Sequence, residues 1–344
     1  MDVKKFDQID GLRFFAVFGV VCGHWHWSHT EFCESITSAS RGVDLFFVIS
    51  GFLITLGLIR SKDKAQSTGQ SLYKFYMRRF LRIFPIYYLT VFILLFFYWN
   101  EMHSTIWWYL LYLRNFYSIK IQDWGIAGHF WSLSVEEQFY MVWPFVILFT
   151  PKKRMLAVII ASVLLSLATK TYWFFTHAPF WYAYMHPLGA LDTLALGALL
   201  AYLYTFHQDW LRRVLYDIRF TVLIIVQMVI CMKLINVQQF SFIHHIGIRT
   251  SFGIFSMWLI GRAAFGFSGV PGFILSSPPL RYVGKISYAI YLFHIFIPGM
   301  LLGLAYPHNE DLRFLMYSAV TIGAASLSWY LFESPILKLK SRFE

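Results

Sequence analysis

The chain has 344 residues, of which 58% are hydrophobic and only 14% charged, with a mean hydropathy of +0.55. A soluble domain carries about 25% charged residues, so this composition excludes a disordered chain and argues against an ordinary soluble enzyme. The formal net charge of +11 falls in short clusters between apolar runs and so reports topology, not a nucleic-acid partner.

A membrane span needs about 20 mostly apolar residues. Ten stretches are read as spans: Ile9–Trp27, Val43–Ile59, Ile83–Trp99, Gln138–Thr150, Met155–Phe175, Leu188–Phe206, Phe220–Asn236, Ile248–Ala264, Ile286–Leu304 and Leu312–Phe332. The fourth reaches span length if its helix begins near Ser134. With the N-terminus inside, most of the 29 Lys and Arg residues lie on inner segments, and only Arg41, Arg114, Lys120 and Arg313 fall in outer loops. That bias requires an even number of spans. The expected fold is therefore all-α, a polytopic transmembrane helical bundle of about ten spans with both termini cytoplasmic, forming one domain over residues 1–344. The first span, with an arginine and a histidine in it, reads as a retained helix and not a cleaved signal peptide. The outer stretch from Asn100 to Glu137, rich in Trp107, Trp108, Tyr109, Tyr112 and Tyr117, is expected to lie along the membrane interface. Three cysteines, Cys22, Cys33 and Cys231, exclude a disulfide scaffold, and no C-x-x-C spacing points to zinc or redox chemistry.

Ionisable residues inside spans are functional candidates by default. Arg13 and His24 are eleven positions apart, three helical turns plus about 20°, so they share one face of the first span roughly 16 Å apart. One face thus carries a fixed cation at the inner end and a base at the outer end. A snorkelling arginine and an interfacial histidine beside Trp25 and Trp27 fit the same spacing. Asp44 opens the second span at the depth expected for His24. There it either sets the imidazole tautomer or simply favours a helix N-terminus. Ser50-Gly51 suits close helix packing. Arg78, Arg79 and Arg82 stand at the inner mouth of the third span, as membrane anchors or as forks for the phosphates of a cytoplasmic cosubstrate. Ser134-x-x-Glu137 fits a capping box, which leaves Glu136 the freer acid, with Tyr140 one turn beyond it. His294 lies within the ninth span, where a buried histidine more often bonds a neighbouring helix than catalyses. Asp192 and Glu333 stay ambiguous on spacing alone.

Taken in chain order, these residues resemble the signature of the acyltransferase-3 family. The resemblance rests on Arg13 with His24, on Gly42-Val-Asp44-Leu-Phe-Phe-Val-Ile-Ser50-Gly51, on Arg78-Arg79-x-x-Arg82-Ile-x-Pro85-x-Tyr87, on Trp131 through Glu136 to Tyr140, and on Ser287 through His294. It implies a multi-pass enzyme of the bacterial inner (cytoplasmic) membrane. Such an enzyme moves an acyl group, usually acetyl, from cytoplasmic acyl-CoA to a hydroxyl of a lipid-linked or envelope carbohydrate such as O-antigen, capsule or exopolysaccharide. It further implies His24 as catalytic histidine with Asp44 and Glu136 as acids, and Arg13, Arg78, Arg79 and Arg82 as acyl-CoA contacts. His294 and Tyr140 would be supporting residues. Acetyl-CoA would serve as cosubstrate, with no bound cofactor, no metal and no nucleic acid. Some members append an SGNH hydrolase-like domain; this chain is expected to carry none. Either direct transfer with His24 as base or an acyl-histidine relay fits. A transporter or flippase of a glycan precursor, which moves its cargo without consuming acyl-CoA, and a non-catalytic membrane subunit are the competing classes.

Overall fold

The computed structural model describes residues 6–25, 27, 39–64, 67–234, 242–301 and 309–343. Lys4, Lys5 and Cys33 lie outside them, as do the C-terminal ends of the seventh and ninth expected spans. The described residues form helices and no strands. The principal ones are α1 (Asp7–His24), α2 (Ala39–Asp63), α3 (Thr68–Phe97), α4 (Arg114–Ile121), α5 (Phe130–Phe149), α6 (Lys152–Phe175), α7 (Pro187–Phe206), α8 (Gln208–Tyr216), α9 (Ile218–Leu234), α10 (Arg249–Phe265), α11 (Gly269–Leu275), α12 (Pro278–Lys285), α13 (Ser287–Phe293) and α14 (Glu310–Ser328).

Among the described residues, five helical stretches are long and apolar enough to cross a membrane: Arg41–Asp63, Thr68–Phe97, Lys152–Phe175, Phe180–Phe206 and Glu310–Ser341. They become seven if α8 with α9, bent by 65°, and Ile246–Phe265 with α11, bent by 88°, each count as one span. The other three expected spans fall short for identifiable reasons. α1 holds Asp7, Asp10 and Arg13 within its 18 residues. α5 holds the consecutive polar run Glu136, Glu137 and Gln138. α13 stops at Phe293 after 7 residues.

The chain divides into two compact units, residues 1–46, 80–87 and 262–344, and residues 47–79 and 88–261. In the first, α1 packs along α12. Its core gathers Val17, Val21 and Cys22 from α1, Ile286, Ala289 and Ile290 around α13, and Phe314, Ala325 and Trp329 from the last long helix. Backbones approach closely where a glycine allows it, since a Cβ on Gly284 would run into the carbonyl of Asp10. Gly284→Ala should therefore cost about 1–3 kcal/mol through overpacking, read as a lowered thermal unfolding midpoint of the purified protein in detergent. The Nε1 of Trp27 donates to Asp311 at 2.9 Å, and its ring stacks on Phe314 with centroids 4.2 Å apart, tying the chain beyond α1 to α14.

In the second unit, α6 and α7 pack extensively along each other. α2 crosses α7 where a Cβ on Gly51 would meet the Leu194 backbone and one on Gly197 the Val48 carbonyl, the small-residue packing expected at Ser50-Gly51. Lys62 donates to the carbonyls of Ile147 and Leu148 at 3.1 and 2.9 Å, satisfying orphan acceptors at the C-terminal end of α5. The stretch from 100 to 137 is more than an aromatic layer. It folds around Arg114, which is 0% exposed. That guanidinium donates to Ser118 Oγ at 2.6 Å and to the Trp124 carbonyl, and lies 5.4 and 5.1 Å from the ring centroids of Tyr109 and Tyr117.

Candidate active site

His24 is the last residue of α1, and Arg13 shares that unbroken helix. Arg13 is half-buried and bonds Asp10 one turn earlier at 2.9 Å. The partner at the His24 Nδ1 is His294, whose Nε2 stands 3.0 Å away with ring centroids 4.9 Å apart. His294 is 0% exposed. Its Nδ1 lies 2.7 Å from the Tyr291 carbonyl, and its own carbonyl accepts from Trp25 Nε1 at 2.9 Å.

This chain of contacts fixes tautomers. A carbonyl only accepts, so His294 Nδ1 must carry the proton. With His294 neutral, its Nε2 is then an acceptor, and His24 must donate from Nδ1. The lone pair of a neutral His24 is left on Nε2. One backbone carbonyl thus orients two imidazoles and turns the basic nitrogen of His24 away from its partner. The bond between His24 and His294 is the interhelical role expected of a buried histidine, made to the candidate base itself.

Asp44 is buried, 2% exposed. Gly42 is where α2 meets α1, since a Cβ there would run into the Ala16 carbonyl and Val20. Asp44 lies about 200° further around the helix, so it does not share the face that Gly42 turns to α1. At His24 Nδ1 the orienting partner is His294. Elsewhere in this unit, Arg82 lies within electrostatic reach of Glu333, which accepts from Ser328 Oγ at 3.1 Å.

The second unit gathers a different set of motif residues. Glu136 accepts from Ser50 Oγ at 2.7 Å. Tyr140, one turn along α5 and buried, is also bonded to Ser50, and the guanidinium of Arg79 lies 5.1 Å from its ring centroid. Serine, acid, phenol and arginine from three separate motifs therefore meet. The sequence offered Ser50 only as a packing residue. Arg78, beside Arg79 on α3, is half-buried. An amide pair holds this region of α5, with Gln138 Nε2 donating to Asn115 Oδ1 at 2.9 Å and to the Tyr112 carbonyl at 2.7 Å.

The capping box does not form. α5 begins four residues before Ser134, whose hydroxyl donates back to the Phe130 carbonyl at 3.1 Å. A serine in a helix interior takes that local acceptor in place of an N-terminal amide. Glu137 is then a buried acid and not a cap. Among the described residues, no three His, Cys, Asp or Glu side chains gather as a metal site would require.

A helical chain with several segments long and apolar enough to cross a membrane has the character of a multi-pass membrane protein. The acyltransferase-3 family model, an acyltransferase domain, matches residues 6–333, and the chain belongs to this family. It is 27% identical over 368 residues to the peptidoglycan O-acetyltransferase OatA of Listeria monocytogenes, covering 97% of this chain and 56% of that protein. It is also 27% identical over 379 residues to the O-acetyltransferase OatA of Staphylococcus aureus, covering 98% and 60%. The chain thus spans little more than half the length of these relatives. No solved structure matches it.

Proposed function

We propose that this chain is an O-acyltransferase of a bacterial cytoplasmic membrane that moves an acyl group, acetyl first, from cytoplasmic acyl-CoA to a hydroxyl of an envelope carbohydrate. The observation that carries this reading is the Tyr291–His294–His24 chain, which orients the His24 imidazole and places its proton on Nδ1. In the proposed step, Nε2 takes the hydroxyl proton as the oxygen attacks the thioester carbonyl. The tetrahedral intermediate collapses, the C–S bond breaks, and the departing coenzyme A thiolate recovers that proton from the imidazolium. The Nδ1–H of His24 stays bonded to His294 throughout. Asp44 in the first unit and Glu136 in the second are each proposed as supporting acids, and Tyr140 supports Glu136 through their shared contact with Ser50.

Arg13 and Arg82 in the first unit and Arg78 and Arg79 in the second are each proposed as contacts for phosphate oxygens of the donor, which a planar guanidinium binds through paired hydrogen bonds. Replacing Arg78, Arg79 or Arg82 by Gln should raise the KM for acyl-CoA roughly tenfold, the loss of a charge-assisted hydrogen bond worth ~1.5–3 kcal/mol, with little change in kcat. Steady-state kinetics on the purified variants checks this. The acceptor class rests on the relative named for peptidoglycan, itself an envelope glycan. The overall test is transfer of labelled acetyl from acetyl-CoA to purified glycan acceptors by the full chain in proteoliposomes, with base-labile ester as product. Movement of glycan across the bilayer without consumption of acetyl-CoA would instead favour a flippase.

A further inference from the structure

A partly open groove in the first unit runs along the last long helix. Its walls include Val17 and Val21 of α1, Trp25, Ile290 of α13, and Ser318 and Thr321 of α14. At one end Trp25 bonds the carbonyl of His294, the partner of His24, and its ring centroid lies 5.5 Å from that of Tyr317. Tyr317, Thr321, Ala325 and Trp329 follow at intervals of four residues along one ridge, and all are buried. The ridge ends at Trp329, which opens the π-helical turn Trp329–Glu333. There the ammonium of Lys285 lies 4.3 Å from the Trp329 ring centroid. Tyr317 and Trp329 are twelve residues apart, ~18 Å of helix.

Lys285 differs from its cationic neighbours. The adjacent Gly284 packs on the Asp10 carbonyl, which sets Lys285 at the level of the first half of α1. Arg13 at that level bonds Asp10 at 2.9 Å, Arg281 bonds Asp7 at 2.8 Å, and Arg82 lies within reach of Glu333. Lys285 is exposed, and among the described residues no carboxylate pairs with it. An aromatic face holds a cation in place without neutralising it. The ammonium is therefore positioned, charged and open to an anion.

Thr321 marks the middle of the groove. It is 1% exposed, and its Oγ1 is buried with no hydrogen-bond partner among the described residues. A threonine inside a helix commonly donates to the carbonyl four residues earlier. Thr169 and Thr171 do so, at 2.7 and 2.8 Å. An unmade bond on a buried hydroxyl is costly, and a polar group of a ligand in the groove would complete it.

We propose that this groove holds the pantetheine arm of the donor, with Lys285 on the diphosphate, the Thr321 hydroxyl on an amide of the arm, and the thioester beside His24. The inference rests on the acyl-transfer reading above and adds to it the donor's path and a phosphate contact outside the arginine set. Length supports the match. About thirteen bonds separate the thioester sulfur of coenzyme A from its nearer phosphorus, and an extended chain covers ~3.5 Å per three bonds. The arm thus reaches ~15 Å, and a hydrogen bond of ~3 Å at the phosphate end brings the span to that of the groove. The methylenes and paired methyl groups of the arm suit apolar walls, while its amides need polar partners there. A lipid tail would use neither the hydroxyl nor the ammonium.

The test measures KM of the full chain for acetyl-CoA and for S-acetylpantetheine, which keeps the arm and lacks every phosphate, with one fixed glycan acceptor. If the truncated donor turns over too slowly, its inhibition constant against acetyl-CoA gives the same comparison. Lys285→Gln should raise the KM for acetyl-CoA roughly tenfold, as expected for a lost charge-assisted hydrogen bond, and leave that for S-acetylpantetheine unchanged. Lys285→Arg keeps the charge and should recover most of the loss. Thr321→Val, which keeps the shape, should weaken both donors about threefold or more, the loss of a neutral hydrogen bond. An unchanged acetyl-CoA KM in Lys285→Gln, an equal rise for S-acetylpantetheine, or no recovery with arginine overturns the proposal. If Thr321→Val is silent as well, a lipid tail becomes the better account of the groove. If wild type consumes no acyl-CoA at all, or His24→Ala transfers as well as wild type, it is the acyl-transfer reading that falls.

Discussion

Replacing His24 by alanine should abolish acyl transfer to within background, a loss of at least ~10³-fold, whereas replacing His294 by alanine should lower kcat about 10²-fold and leave the acyl-CoA KM unchanged. The first figure follows from removing the proposed general base, whose contribution is typically about 10²–10⁴. The second follows from losing the orientation of that base and the acceptor for its Nδ1 proton. In a serine triad, removing the equivalent orienting charge costs about 10⁴, and a neutral imidazole orients less strongly than a carboxylate. His24 and His294 act as one unit, so the double variant should be no slower than His24→Ala alone, the non-additivity expected of a coupled pair. A glutamine at 294 offers a side-chain oxygen to Nδ1–H and should recover part of the lost kcat. A merely structural histidine would give a different pattern, with reduced amounts of folded protein, unchanged kcat per folded molecule and no rescue by glutamine. That pattern, measured by single-turnover kinetics on equal amounts of folded enzyme, would remove the tautomer argument.

The same residues explain what could and could not be read along the chain. Hydropathy identified the strongly apolar helices α2, α3, α6 and α7, because each keeps a long apolar window with at most two charged residues. The three expected spans that fall short are those carrying Arg13 and His24, Glu136, and His294. A membrane helix that hosts chemistry must hold ionisable groups, and each lowers the apolarity by which a span is recognised. The motif residues themselves were legible as types at spacings, but their pairing was not. His294 reaches His24 across 270 positions of sequence, and Ser50 reaches Glu136 across 86. No local pattern encodes such contacts, which depend on how glycine-mediated crossings such as those at Gly42 and Gly51 set helix register. Ser134 failed in the opposite direction. A local rule was satisfied by spacing, yet the helix extended past it because Phe130, Trp131 and Leu133 continue the buried face.

Asp192→Ala should destabilise the protein by ~3–5 kcal/mol, the largest stability effect expected of a single substitution here. Lys170 on α6 and Asp192 on α7 pair at 2.7 Å with both side chains 0% exposed. The carboxylate is further held by Thr250 Oγ1 at 2.6 Å and Ser166 Oγ at 3.3 Å, with the charge of Arg249 nearby. Removing Asp192 leaves a buried ammonium with no counter-charge from α7. Lys170→Met is expected to cost less, because Asp192 keeps the two hydroxyl donors and the influence of Arg249. The pair Lys170→Met with Asp192→Val removes both charges with a small increase in volume and should be more stable than Asp192→Ala, since no unpaired ammonium is left and a buried ion pair seldom repays its desolvation in full. Unfolding of the four proteins in mixed micelles checks the order directly. A double variant as unstable as Asp192→Ala would mean that the pair is needed for more than mutual neutralisation. Retained acyl transfer in a folded double variant would assign this network to holding α6 against α7 and exclude it from the chemistry.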